Sequence, residues 1–151
     1  MKPFIALLVV FVVTLFITKI AFGYYHVHKA AIFAITGMLL FASLGHFMYT
    51  EGMQYMIPSF FPFRFQLIVL SGILEIVLAF VLLIPKYEKL FAWVIIVYLI
   101  CVLPFNIYSA VEKINYQNPK IEGPGLSYLW LRIPIQLFYI GWLYFLCIIK
   151  L

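Results

Sequence analysis

The chain has 151 residues, 67% of them apolar and 10% charged, where a soluble domain carries about 45–50% and 25%. Five acids and ten bases cannot coat the roughly 30% of unfolded surface that a soluble fold of this length leaves in water, so the surplus apolar surface has to face lipid. The formal charge of +5 is carried by bases spread singly from Lys2 to Lys150. Without a basic cluster, nucleic acid is not expected as a partner, and the bases are read as anchors at the ends of membrane spans.

At about 20 residues per crossing, the chain has length for four or five spans and for no separate domain outside the bilayer. Apolar runs occupy residues 3–20, 30–49, 65–84, 90–111 and 126–149. None shows the two-residue alternation of a membrane barrel strand, so the sequence predicts an all-α, polytopic helical bundle forming one integral membrane domain. The first run imitates a secretory signal, with Lys2 ahead of it and Ala21, Phe22 and Gly23 behind. Lys19 beside the would-be cleavage site and the length of the run favour a retained helix. Polar residues and prolines mark the breaks: Tyr24, His26, His28 and Lys29, then Pro58, Pro62 and Arg64, then Pro85, Lys86 and Glu88, and finally Asn118, Pro119, Gly123 and Pro124. The stretch 53–65, MQYMIPSFFPFRF, is too apolar for a solvated connection and is expected in the interface, its rings at headgroup level.

Cys101 and Cys147 lie inside apolar runs without CxxC spacing and are expected to be inert packing residues. His26 and His28 share one loop, His46 stands alone, and no carboxylate or thiol joins them at ligand spacing, so no metal is expected. Lys19, Lys29, Lys86, Lys89 and Lys150 fall on one face, and Lys2, Arg64, Lys113 and Lys120 on the other. That small excess puts the C-terminus in the cytoplasm and the N-terminus outside, together with the loops 50–64 and 112–125.

Ionisable groups within a span cost about 2.5–3.5 kcal/mol each at mid-helix, and four of the runs carry polar groups of this kind. At about 1.5 Å per residue, His46, Glu75, Asn106, Arg132 and Gln136 all fall roughly 6 to 15 Å below the same, outer face. Helical spacing extends them into stripes: Ser43, His46 and Tyr49; Ser71, Gly72 and Glu75; Asn106, Ser109 and Lys113. Turned inward, the stripes build one polar cluster, with Glu75 and Arg132 as its ionic couple and Gln136, His46 and Asn106 completing the hydrogen bonds. Such a cluster can bind a small amphipathic molecule, pass protons or ions, or only fix helix register. The sequence leaves these alternatives open and assigns no catalytic residue. Pro104 and Pro134, each two residues from a member of the cluster, can kink their helices and widen that end of the bundle. Phe47, Tyr49, Phe105, Tyr108, Tyr128 and Trp130 flank the same half, as an interfacial belt or as the walls of a pocket.

Four stretches carry a family resemblance: GHFMYTEGMQYMIPSFFPF at 45–63, SGILEIVLAFVLLIPKYEKLFAW at 71–93, LPFNIYSA at 103–110 and LWLRIPIQ at 129–136. In this order and spacing the chain resembles DoxX-like integral membrane proteins over residues 31–149. The resemblance implies a compact four-helix core in a bacterial inner membrane, to which the run 3–20 adds a fifth helix, and the five polar residues fall inside the matching segments. It also implies association with membrane redox systems, which brings a quinone into view as a cofactor. The lack of a Cys pair or metal set argues against redox chemistry by this chain alone. Three functions are therefore carried forward. One is a DoxX-like protein binding a small lipid-soluble ligand or a membrane protein partner at the cluster. Another is a subunit of a quinone-linked oxidoreductase in which His46 and Glu75 exchange protons with the quinone. The third is a structural or assembly protein with a sealed cluster.

Overall fold

The computed structural model describes residues 2–149, so Lys150, one of the bases weighed for orientation, lies outside the described residues. The chain is all-helical, with no strand among those residues, and five stretches are long and apolar enough to cross a membrane. They are α1 (Lys2–Phe22), α2 (Val27–Met48), α4 (Arg64–Leu82), α5 (Glu88–Val111) and a composite fifth span. The fifth runs through a 3-10 turn (Gly125–Tyr128), α6 (Leu129–Trp142) and a π-helical segment (Leu143–Ile149). Between α2 and α4, the one-turn helix α3 (Thr50–Met53) continues into a 3-10 turn (Gln54–Met56). Consecutive spans alternate in direction. The start of α1, the end of α2, the start of α4, the end of α5 and the start of the fifth span therefore share one face, the near face, and the other is the far face.

Lipid offers no hydrophobic gain for helix association, so spans pack where small residues let backbones approach and where polar groups can bond across. α2 is built for this. Ala30, Ala31, Ala34 and Ile35 are fully buried, and 44% of its most apolar stretch is buried against 11% for α1. α2 is thus the central helix and α1 a peripheral one, leaving Ile5, Val9, Val12, Phe16 and Ile20 exposed along its outer side. Gly37 admits α1, since a Cβ there would lie 2.9 Å from Val10. Leu78, Ala79 and Leu82 of α4, Ala92, Ile95 and Ile96 of α5, and Tyr139, Leu143 and Cys147 of the fifth span complete the core. Two hydrogen bonds stitch the helices across it: Thr36 Oγ1 donates to the Ala79 carbonyl at 3.3 Å, and Trp142 Nε1 to the Ala31 carbonyl at 3.2 Å.

Helix boundaries follow the predicted runs with one shift that has a physical cause. α2 begins at Val27 rather than residue 30, because His28 finds polar partners inside the bundle and need not stay in a loop. Cys147 packs in the core as expected, whereas Cys101 of α5 is exposed and not part of that core. At the near face, Gly52 and Gly123 let backbone meet backbone: a Cβ would sit 1.9 Å from the Tyr116 carbonyl oxygen and 2.6 Å from that of Ile114, respectively. The first contact fastens the 112–124 loop to α3, and the second draws the two ends of the loop together. Lys113, in the left-handed region at φ 51°, faces Glu122 at 3.7 Å, an exposed pair that contributes little. Phe60 and Phe63 are 78% and 73% exposed in the loop before α4, which leaves their rings available to lipid headgroups.

Candidate functional site

Side chains on a helix lean toward its N-terminus. His46, on the last turn of α2, therefore leans into the bundle, while Glu75, on the oppositely directed α4, leans up toward it. Gly72 brings the two helices together, for a Cβ there would come within 2.9 Å of His46 Cβ. The result is a connected polar chain. Ser71 Oγ lies 2.9 Å from His46 Nδ1, His46 Nε2 lies 3.5 Å from Glu75 Oε1, and the Tyr98 hydroxyl of α5 donates to the same oxygen at 2.8 Å. Glu75 is 6% exposed, and its other oxygen, Oε2, has no hydrogen-bond partner.

The Ser71 hydroxyl joins this chain through one of two hydrogen bonds. The single Ser71 hydroxyl proton can go to the Ile68 carbonyl at 2.8 Å or to His46 Nδ1. If it goes to Ile68, Nδ1 must carry its own proton and the imidazole can hold a second one against Glu75. Turning one hydroxyl thus exchanges the donor and acceptor roles of Ser71 and His46 Nδ1. Tyr98 was not among the residues singled out from sequence. It stands eleven residues before Ser109, about 20° off the same helical face at 100° per residue, so the stripe on α5 already contained the signal.

The expected ionic couple does not form. Arg132 makes no ion pair with Glu75, and its buried Nε has no hydrogen-bond partner. Its helix runs in the same direction as α4, so both side chains lean toward the near face and neither reaches across to the other. Arg132 instead lines a cleft of about 230 Å³ at the start of the fifth span, with Ser127, Tyr128, Leu131, Tyr139 and Pro3 of α1. The two groups do share one region, since Tyr98 lies within electrostatic range of both. Asn106 and Gln136 are buried but spend their amide donors on main-chain carbonyls of α5. Asn106 Nδ2 donates to Val102 at 3.2 Å, and Gln136 Nε2 to Leu99. Of the five predicted cluster residues, His46 and Glu75 meet directly, Gln136 bonds beside Tyr98, Arg132 turns into the cleft, and Asn106 stays on its own helix.

A second histidine–carboxylate pair holds the far face. His28 Nδ1 lies 2.7 Å from the Leu146 carbonyl of the π-helical segment, and Nε2 lies 2.9 Å from Glu88 at the start of α5. A carbonyl can only accept, so Nδ1 carries a proton and donates it to Leu146. These contacts tie α2, α5 and the last span together. Outside the spans, partial burial within the near-face loop pushes the Tyr116 phenol above its ordinary value, with Tyr128 adding to the effect.

Comparison with known proteins finds no match among curated proteins or solved structures. A family model described as a domain of unknown function (DUF8561) matches residues 35–147, leaving out α1 and the first turns of α2. That match covers most of the chain, and the protein belongs to this family.

Proposed function

We propose that the protein is a DoxX-like membrane protein of the bacterial inner membrane, its near face outward, which binds a small lipid-soluble ligand in the near-face half of the bundle. The observation that carries this reading is a pair of half-satisfied charges. Glu75 Oε2 and Arg132 Nε are both buried and unpartnered, lie in one region, and do not satisfy each other. Buried polar atoms are costly to leave unmade, and a ligand with a polar head between apolar walls would complete them. Mass spectrometry of small molecules retained by protein purified gently from its membrane tests this. A stoichiometric lipid-soluble species, diminished in Glu75→Gln and in Arg132→Gln, supports the reading. A wild-type protein that carries none and takes up none from a lipid extract overturns it.

A quinone-linked oxidoreductase subunit is the second reading, and the Ser71–His46–Glu75–Tyr98 chain favours it. A hydroquinone must release protons as it is oxidised, and a pair able to hold one more proton by a hydroxyl turn is a suitable acceptor. A partner protein would take the electrons. Retention of a quinone, and its loss in His46→Ala, would separate this reading from a redox-silent ligand.

A further inference from the structure

Arg132 raises a question of charge balance that the rest of the chain does not answer. The sequence contains five acids in all. Glu75 faces His46, Glu88 faces His28 and Glu122 faces Lys113, while Glu51 and Glu112 are exposed and neither pairs with Arg132. A guanidinium within a span is nonetheless expensive unless something offsets its charge. Among the described residues no carboxylate lies within ion-pair distance of it, so a ligand can supply the counter-charge.

The surroundings say what form that counter-charge takes. Arg132 leans toward the turn before it, and its buried Nε has no hydrogen-bond partner. The cleft is lined by Leu131, Ile135 and the Tyr128 and Tyr139 rings of the fifth span, with Pro3 contributed by α1. Its 230 Å³ holds a headgroup and the first carbons of a chain, and its walls are more apolar than polar. Phe4 of α1 packs edge-on against Phe138 at 5.3 Å just beneath it, so α1 forms a rim along which an acyl tail can lie. A guanidinium binds carboxylate or phosphate through two parallel hydrogen bonds.

We infer that the Arg132 cleft is a binding site for an anionic amphiphile, a carboxylate or phosphate head on an apolar tail, with Arg132 as the anchoring cation. This rests on the ligand reading above and narrows it to a charge class. The test uses the full chain in detergent and the fluorescent polyene fatty acid cis-parinaric acid, compared with its methyl ester. The acid is expected to bind at least tenfold more tightly than the ester. That preference should fall to within about twofold in Arg132→Gln and survive in part in Arg132→Lys, which keeps the charge without the planar fork. An alkyl phosphate should displace the acid and the matching alkyl alcohol should not. Displacement by inorganic phosphate alone assigns the site to a soluble anion, and persistence against it assigns the site to a lipid. Equal binding of acid and ester by the wild-type protein overturns this inference while leaving the ligand reading in place. Failure of both to bind overturns the two together. If Arg132→Gln does not fold, the acid-to-ester ratio of the wild-type protein and its decline with rising salt decide the matter.

Discussion

Replacing Tyr98 by Phe removes one hydroxyl from the bundle and keeps the ring. The consequence is large because Glu75 depends on that hydroxyl. Tyr98 donates to Oε1 at 2.8 Å, Oε2 has no partner, and His46 is 3.5 Å away, beyond the roughly 2.7–3.2 Å of a good N–H···O bond. A hydrogen bond to a charged group contributes about 1.5–3 kcal/mol, whereas bonds between membrane helices have reached at most about 1.7 kcal/mol. The overlap places Tyr98→Phe at about 1.5 kcal/mol, or roughly tenfold in the unfolding equilibrium. With Glu75→Gln as background the acceptor is neutral and the bond about half as strong, so the same change should cost about 0.8 kcal/mol. The difference, about 0.7 kcal/mol, is the coupling that a double-mutant cycle reads. Reversible unfolding in mixed bicelles, followed by tryptophan fluorescence or steric trapping, measures all four proteins. An identical cost in both backgrounds would refute the charged character of the bond, and a Tyr98→Phe protein as stable as the wild type would refute the bond's contribution altogether.

Three further outcomes are expected. His28→Ala severs α2 from both Glu88 and the Leu146 carbonyl and should cost about 2 kcal/mol, below the 3–5 kcal/mol of a fully buried pair because the imidazole is partly exposed. Hydrogen exchange should then rise in the segment Leu143–Ile149 before any other span. Gly52→Ala drives a Cβ into the Tyr116 carbonyl, an overpacking worth about 1–3 kcal/mol, and should expose the 112–124 loop to limited proteolysis. Burial raises the Tyr116 phenol above 10.0, so the folded protein keeps a proton that the unfolded chain loses. The contribution is whole below pH 10.0 and is lost as the pH climbs through the folded value. A pH series of melting temperatures should therefore fall less steeply above pH 10 in Tyr116→Phe than in the wild type.

The membrane spans were legible because hydrocarbon imposes a simple rule. A helix that satisfies its own backbone and shows apolar side chains all round is one of only two structures that can cross, and 67% apolar composition leaves little room for the other. What the sequence could not rank was centrality. α1 is as apolar as any span, yet it is peripheral, because the central place goes to α2, whose Ala30, Ala31 and Ala34 let neighbours approach and whose Gly37 receives Val10. In lipid, small residues and not apolar ones mark the buried helix. The start of α2 was missed for a related reason. His28 and Lys29 read as loop residues by polarity alone, and only the distant Glu88 and Leu146 explain why a histidine belongs in the first turn.

Within the polar cluster, pairing was not legible. Counting residues from the ends of the apolar runs puts His46, Glu75 and Arg132 at similar depths, and Tyr98, hydrogen-bonded to Glu75, lies within electrostatic range of Arg132. Opposite charge then suggested Glu75 and Arg132 as partners, but charge does not fix direction. Helical side chains lean toward the N-terminus, so an acid on α4 meets a residue leaning the other way, on α2 or α5, more readily than one on a span that runs parallel to its own. His46 and Tyr98 satisfy that condition and Arg132 does not. The consequence reaches beyond this one pair. A membrane protein that places its acid against a histidine and a tyrosine, and leaves its arginine beside a cleft, has parted its buried acid from its intramembrane cation. On the ligand reading proposed above, the two places would meet different parts of one molecule: the arginine a charged head, and the His46–Glu75 pair a hydrogen-bonding group.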